Sequence, residues 1–352
     1  MESHILCTDA DLVLLRIFLS PDKELIFDSD LYIYRPAGDG GPSLTLLKRP
    51  PGDRIFQATQ VGLLSSHSHT NRRDDDDDIS GLSLSDKPYY MVAALCDNRE
   101  ELRLYHDELL ESGQYLLYLY DSKLGSWTTH IVSLEDEQLH KHQEDGYFLH
   151  DTDKVIAIGG EEGNMGFVDL WRGILICDLL LVRDSPRLQY IEVPLPLHPR
   201  ARIQGDGRLC RDIAVMEDRI RFVQQQIFWK PCPLYVGQYI VDGWMAATWS
   251  RLIASPVEDP WERQHTIRSS EMDISNPEFE LLPKLHDNAG RPLPPFKELS
   301  ICQPTLSLKA GDATVCFMIK IDIEDEEAWV IDVDMSDNKL QGVAGFDATR
   351  SV

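Results

Sequence analysis

The feature that most constrains the fold is a succession of short apolar runs, each of strand length and each broken by Gly, Asp, Asn or Pro. In the first fifty residues DLVLLRIFLS, DLYIYRP and SLTLLKRP follow one another, joined by turn-forming DSD and AGDGGP. A second group reads YYMVAALCD, QYLLYLYD and WTTHIVSL, and a third reads KVIAIGG, GFVDLW, GILICDLLL and LQYIEVPL. RDIAVME, RIRFVQQQ, GWMAATWSRLI and RQHTIRSS make a fourth, while TLSLK, ATVCFMIKI, AWVIDVDM and KLQGVAGF make a fifth. Helical periodicity is almost absent. The pattern predicts an all-β chain, β-propeller-like, with about five (or six) four-stranded antiparallel blades in a single domain over residues 1–352. HILCTD at the start of the chain is expected to pair within the first group.

The stretch MGFVDLWRGILICDLLL, Met165 to Leu181, poses the functional question directly: it is either scaffold or the floor of an active site. Its near-continuous apolar character indicates strands covered on both faces, as stacked blades provide. Gly173 is expected to supply the backbone freedom of a tight reversal. Asp169, Arg172 and Asp178 are expected to satisfy turn or channel-facing backbone groups. The tryptophans Trp127, Trp171, Trp229, Trp244, Trp249, Trp261 and Trp329 are read as packing between blades.

Composition excludes several function classes. A formal charge of -25 disfavours nucleic acid and anionic membrane, both of which need cationic surface. The opening MESHILCTDADLV lacks the basic start and long apolar run of a signal peptide, so an intracellular protein, cytoplasmic or nuclear, is expected. Seven scattered cysteines without CxxC spacing read as small buried apolar residues.

VDLWRGILICDLL followed by LQYIEVPLP, the upstream DKVIAIGG, the later RDIAVMEDRIRFV, and PTLSL with AWVIDVDMSDNKLQGVAGF together resemble the plant family known as domain of unknown function 1618, abundant in grasses. The resemblance runs from Asp11 to Phe346. It implies a plant intracellular protein with a propeller-like body similar to those found behind F-box motifs. It makes Asp169, Trp171, Arg172, Gly173 and Asp178 structural motif residues, and it carries over no catalytic residue.

Other segments take bland readings. Residues 65–87, which include Arg72 to Asp78, read as a mobile acidic loop. The pairs His67 with His69 and His140 with His142 fix no metal geometry. Gly159 to Gly166 lacks the glycine spacing and lysine of a phosphate cradle, and Glu161 and Glu162 would repel phosphate. Asp322, Glu324, Asp325, Glu326 and Glu327 are dense enough for calcium or magnesium, but they miss EF-hand spacing and sit where a hairpin tip belongs. There is no GxSxG. Residues 256–304 read as a long Pro-rich connection, whose Lys284, Arg291 and Lys297 form the candidate binding surface. The reading is a monomeric, noncatalytic protein-interaction scaffold that needs no cofactor or metal and binds a protein partner. Its rival is a propeller hydrolase or lyase using carboxylates with a divalent cation in the central channel.

Overall fold

The computed structural model describes residues 2–18, 29–36, 41–65, 89–96, 112–141, 148–159, 163–180, 187–197, 205–232, 235–275, 277–286, 290–293, 296, 298–309, 311–322 and 325–347. The expected mobile loop lies outside these residues apart from Ser65, and so do His67, His69, His142, Glu161, Glu162, Lys297 and Glu324. The chain is all-β, built from mostly antiparallel four-stranded sheets, and α1 (Asp136–Lys141) is the only α-helix among the described residues. It divides into two compact units, Met1–Ile191 and Glu192–Val352.

The first unit begins with β1 (Glu2–Asp9), β2 (Leu12–Phe18), β3 (Ser29–Arg35) and β4 (Ser43–Leu46), paired in that order as a meander. HILCTD does pair in this group, in β1 against β2. A second sheet holds β5 (Val61–Ser65), β6 (Tyr90–Cys96), β7 (Gln114–Asp121) and β8 (Ser126–Leu134), and a third holds β9 (Lys154–Gly159), β10 (Asn164–Asp169), β11 (Gly173–Asp178) and β12 (Arg187–Glu192). A short parallel ladder, Arg187 to Ser133 and Leu188 to Leu134, joins these last two edge to edge.

Stacking explains why the second group is apolar on both faces. Because side chains alternate along a strand, Met91, Ala93, Leu95, Leu117 and Leu119 face one way, into a cluster with Met165, Phe167, Leu175 and Cys177 of the third sheet. Val92, Ala94, Cys96, Leu116 and Tyr118 face the other way, into a cluster with Leu12, Leu14 and Ile33 of the first sheet. The middle sheet is therefore sandwiched. The first strands of successive sheets also lie side by side, β1 along β5 and β5 along β9.

The second unit repeats the plan. Its sheets are β13 (Arg211–Met216), β14 (Arg219–Pro231), β15 (Tyr239–Leu252) and β16 (Glu262–Arg268), then β17 (Ser300–Leu306), β18 (Thr314–Lys320), β19 (Glu327–Asp334) and β20 (Lys339–Asp347). Val223, Trp244, Ala246 and Ile267 of one sheet pack with Ile301, Phe317, Ile331 and Val333 of the other. The 256–304 segment is less open than its prolines suggest. It contains β16 and the start of β17, and Leu282, Phe296 and Leu299 anchor its irregular part into this core.

Candidate functional site

The turn between β10 and β11 is organised by one buried carboxylate. Asp169, 1% exposed, accepts through Oδ1 from the backbone N–H groups of Trp171 (2.9 Å) and Arg172 (3.0 Å). Through Oδ2 it accepts from the N–H of Asp151 (3.0 Å) and from Arg172 Nη1 (3.1 Å). Asp153 returns the favour by accepting from Leu170 N–H at 2.9 Å, so the segment before β9 is stitched to the turn. Four donors on one carboxylate satisfy a buried charge, as the position of Asp before a tight turn leads one to expect. At the other end of the hairpin Asp178 accepts from Leu180 N–H at 2.9 Å.

Gly173 is a glycine for a different reason from the expected one. Its φ is not positive, so no left-handed reversal requires it. A Cβ there would stand 2.4–2.5 Å from Cζ, Cε2 and Oη of Tyr190, whose buried ring lies across the strand. Packing replaces turn geometry as the cause.

Beside this turn the first unit holds a cavity of about 400 Å³, lined in part by Leu95, Tyr115, Leu149, His150, Asp151 and Arg172. His150 is 5% exposed, and neither Nδ1 nor Nε2 has a hydrogen-bond partner. Burial holds its imidazole well below the ordinary range, at about 4; the Asp169 carboxylate opposes that effect and the Arg172 guanidinium adds to it. The ring meets Tyr115 edge to face with centroids 6.3 Å apart. Arg172 gives Nη1 to Asp169 while its buried Nε has no partner. His150 and Tyr115 carried no sequence signal, since each is an isolated residue in an unremarkable run.

The second unit presents a different surface. β13 supports β14 only as far as Gln224, and β16 supports β15 only from Met245 onward. Beyond Ile227 and Trp244 the two long strands continue alone, pairing Trp229 with Val241, Lys230 with Ile240 and Pro231 with Tyr239. The tip is closed by Cys232 N–H donating to Gln238 O at 2.8 Å. This two-stranded arm exposes Trp229 (56%), Tyr235 (61%) and Tyr239 (63%), with Val236 fully in solvent. Trp229 and Tyr239 share a face by register. The reading of Trp229 as packing between blades is thus corrected, because more than half of its surface is exposed among the described residues. Trp244 fits that reading: it is buried and packs on Phe296 and Phe317. Trp127 fits it too, bonding Lys48 O at 2.6 Å from the neighbouring sheet's end.

Of the cations named from sequence, two lie among the described residues. Lys284 is exposed and bonded to Glu280 four residues earlier, and Arg291 is exposed. The acidic segment before β19 is a turn: Asp322 N–H donates to Asp325 Oδ2 (2.9 Å), and Lys320 Nζ donates to Asp325 O (2.7 Å). Among the described residues no three His, Cys, Asp or Glu side chains are placed to share a metal ion. The seven cysteines are free. No helix among the described residues is long and apolar enough to cross a membrane.

No curated protein matches the chain. Residues 167–316 match the family model described as protein of unknown function (DUF1618), a span that opens in β10, takes in the Asp169 turn and the aromatic arm, and ends in β18. Over that span, less than half of its length, the chain is similar to the DUF1618 family.

Proposed function

We propose that the chain is a noncatalytic protein-interaction module whose five four-stranded sheets are blades of a β-propeller-like body and whose β14–β15 arm engages a protein partner. Face-to-face stacking and adjacent first strands within each unit support the blade reading. The arm is the observation that carries the function. Tryptophan and tyrosine dominate the energetics of protein contacts, and three such rings in one short projecting hairpin are unusual on a surface without a partner. A hairpin of two strands gains little stability from itself, so covering its aromatic face would stabilise it as well. The free cysteines support a reducing, intracellular setting, cytoplasmic or nuclear. The charge of -25 favours a neutral or basic partner.

Proximity labelling in plant cells tests the reading by comparing the natural chain with the double variant Trp229→Ser, Tyr239→Ser. The expected result is a small set of proteins labelled by the former and lost from the latter, at unchanged melting temperature. Identical labelling by both would remove the arm from the function.

A further inference from the structure

We propose that a recess between the first sheet and the 47–56 segment, with Arg16 in its wall, binds a carboxylate. This goes beyond the protein-interaction reading and concerns the other unit of the chain. The buried face of β2 is Leu12, Leu14, Arg16 and Phe18, so a guanidinium stands where strand alternation otherwise places apolar side chains. Arg16 is only 4% exposed. Its Nη2 donates to the carbonyl of Phe56, while Nε and Nη1 have no hydrogen-bond partner among the described residues and are not sealed from solvent. No carboxylate among the described residues pairs with it, and burial pulls its pKa down with no neighbouring charge to oppose the effect. A cation in such a place is costly unless an anion joins it.

Charge and size select the class of ligand. On the same lining Lys48 and Arg49 are exposed and Arg54 is half-buried, against one carboxylate, Asp30, which accepts from Arg49 Nε at 2.9 Å. Cations outnumber acids here, in a chain of formal charge -25. The space enclosed is about 30 Å³. A single water needs about 10–15 Å³, so the recess admits the two oxygens of a carboxylate and excludes a nucleotide or a phosphorylated sugar. A guanidinium presents its N–H groups as a planar fork, a geometry that a carboxylate matches and a spherical halide does not. Leu31, Leu47 and Ile55 supply apolar wall for the carbons next to the carboxylate.

Propionate is the probe, with its uncharged isostere propionamide and chloride at matched ionic strength as controls. In proton–nitrogen spectra the Arg16 Nε–Hε signal should shift saturably with propionate, and either control should bind at least ten-fold more weakly. Arg16→Met should abolish propionate binding, read by saturation transfer to the methyl protons of the ligand. If that variant fails to fold, Lys48→Glu, which changes an exposed residue of the lining, should weaken binding at least five-fold, and an unchanged affinity counts against the proposal. A capped glutamate peptide that binds ten-fold tighter than propionate assigns the carboxylate to a protein partner, and equal affinity assigns it to a free small acid; both sustain the inference. No saturable shift with propionate, or an equal response to chloride, overturns it and leaves Arg16 with the single role of holding the Phe56 carbonyl.

Discussion

Replacing Gly173 with alanine separates two physical reasons for a glycine. If the residue served a reversal, the cost of Ala would be local backbone strain and would not depend on any neighbour. The geometry says otherwise, since the new Cβ would lie 2.4–2.5 Å from the ring of Tyr190. Ordinary carbon contacts sit at about 3.5–4.0 Å, so the overlap is roughly 1 Å. Tyr190 cannot simply swing aside. It is 4% exposed, its ring meets Phe148 edge to face at 5.1 Å, and its backbone N–H is held by Gln138 Oε1 at 3.0 Å. Overpacking of this kind costs about 1–3 kcal/mol. Gly173→Ala should therefore lower the melting temperature by several degrees, at about 2–4 °C per kcal/mol for a unit of this size. The assay is a double-mutant cycle by thermal or urea unfolding with Tyr190→Ala, in whose background Gly173→Ala should cost almost nothing. An equal cost in both backgrounds, or a cost below about 0.5 kcal/mol in the natural chain, would refute the packing argument.

Three further outcomes are expected. Arg251 is 3% exposed and donates to the carbonyls of Ser255, Pro256, Val257 and Asp259, so Arg251→Met should cost about 2–4 kcal/mol by leaving those acceptors unpaired; a loss under 1 kcal/mol in urea unfolding would contradict this. His150 has a folded pKa of about 4 against 6.5 when unfolded, so the unfolded chain takes up the proton first. Its contribution is fully present above pH 6.5 and is lost as pH falls from 6.5 towards 4, to about 3 kcal/mol, and His150→Gln should flatten that limb of the stability profile. Millimolar calcium or magnesium should leave the melting temperature where a matched salt control puts it, because a native-state site filled to 100 times its dissociation constant would add about 2.7 kcal/mol and shift it by several degrees.

How much of this was legible in the sequence depends on how far apart the cause and the residue lie. β6, β7 and β10 were readable because both of their faces are buried, and a run such as YMVAALC needs no knowledge of which sheet covers which face. β5 was not readable. VGLLS is only five residues long and contains Gly62, which looks like a break. In the fold Gly62 is a point of close approach, where a Cβ would stand 2.4 Å from Val155 Cγ1 and 2.8 Å from Met165 Sδ of the adjacent sheet. Nothing within VGLLS reports that neighbour.

The same distinction runs through the turn between β10 and β11. The bonds of Asp169 to Trp171 and Arg172 are local, and local bonds follow from residue type and order. The cavity beside it is assembled from five separate places, Gln60, Leu95, Tyr115, the 149–152 segment and Arg172, which only sheet stacking brings together. No spacing in the sequence encodes that meeting. Asp169 spends all four of its described contacts on holding the turn and the Asp151 backbone, while Arg172 gives one nitrogen to Asp169 and lines the cavity with the rest of its side chain. The turn is therefore scaffold through Asp169 and wall through Arg172. The two roles are separable by mutation: Arg172→Met should keep the three backbone bonds to Asp169 while removing the donor at Nε, whereas Asp169→Asn should disturb the turn and the cavity together.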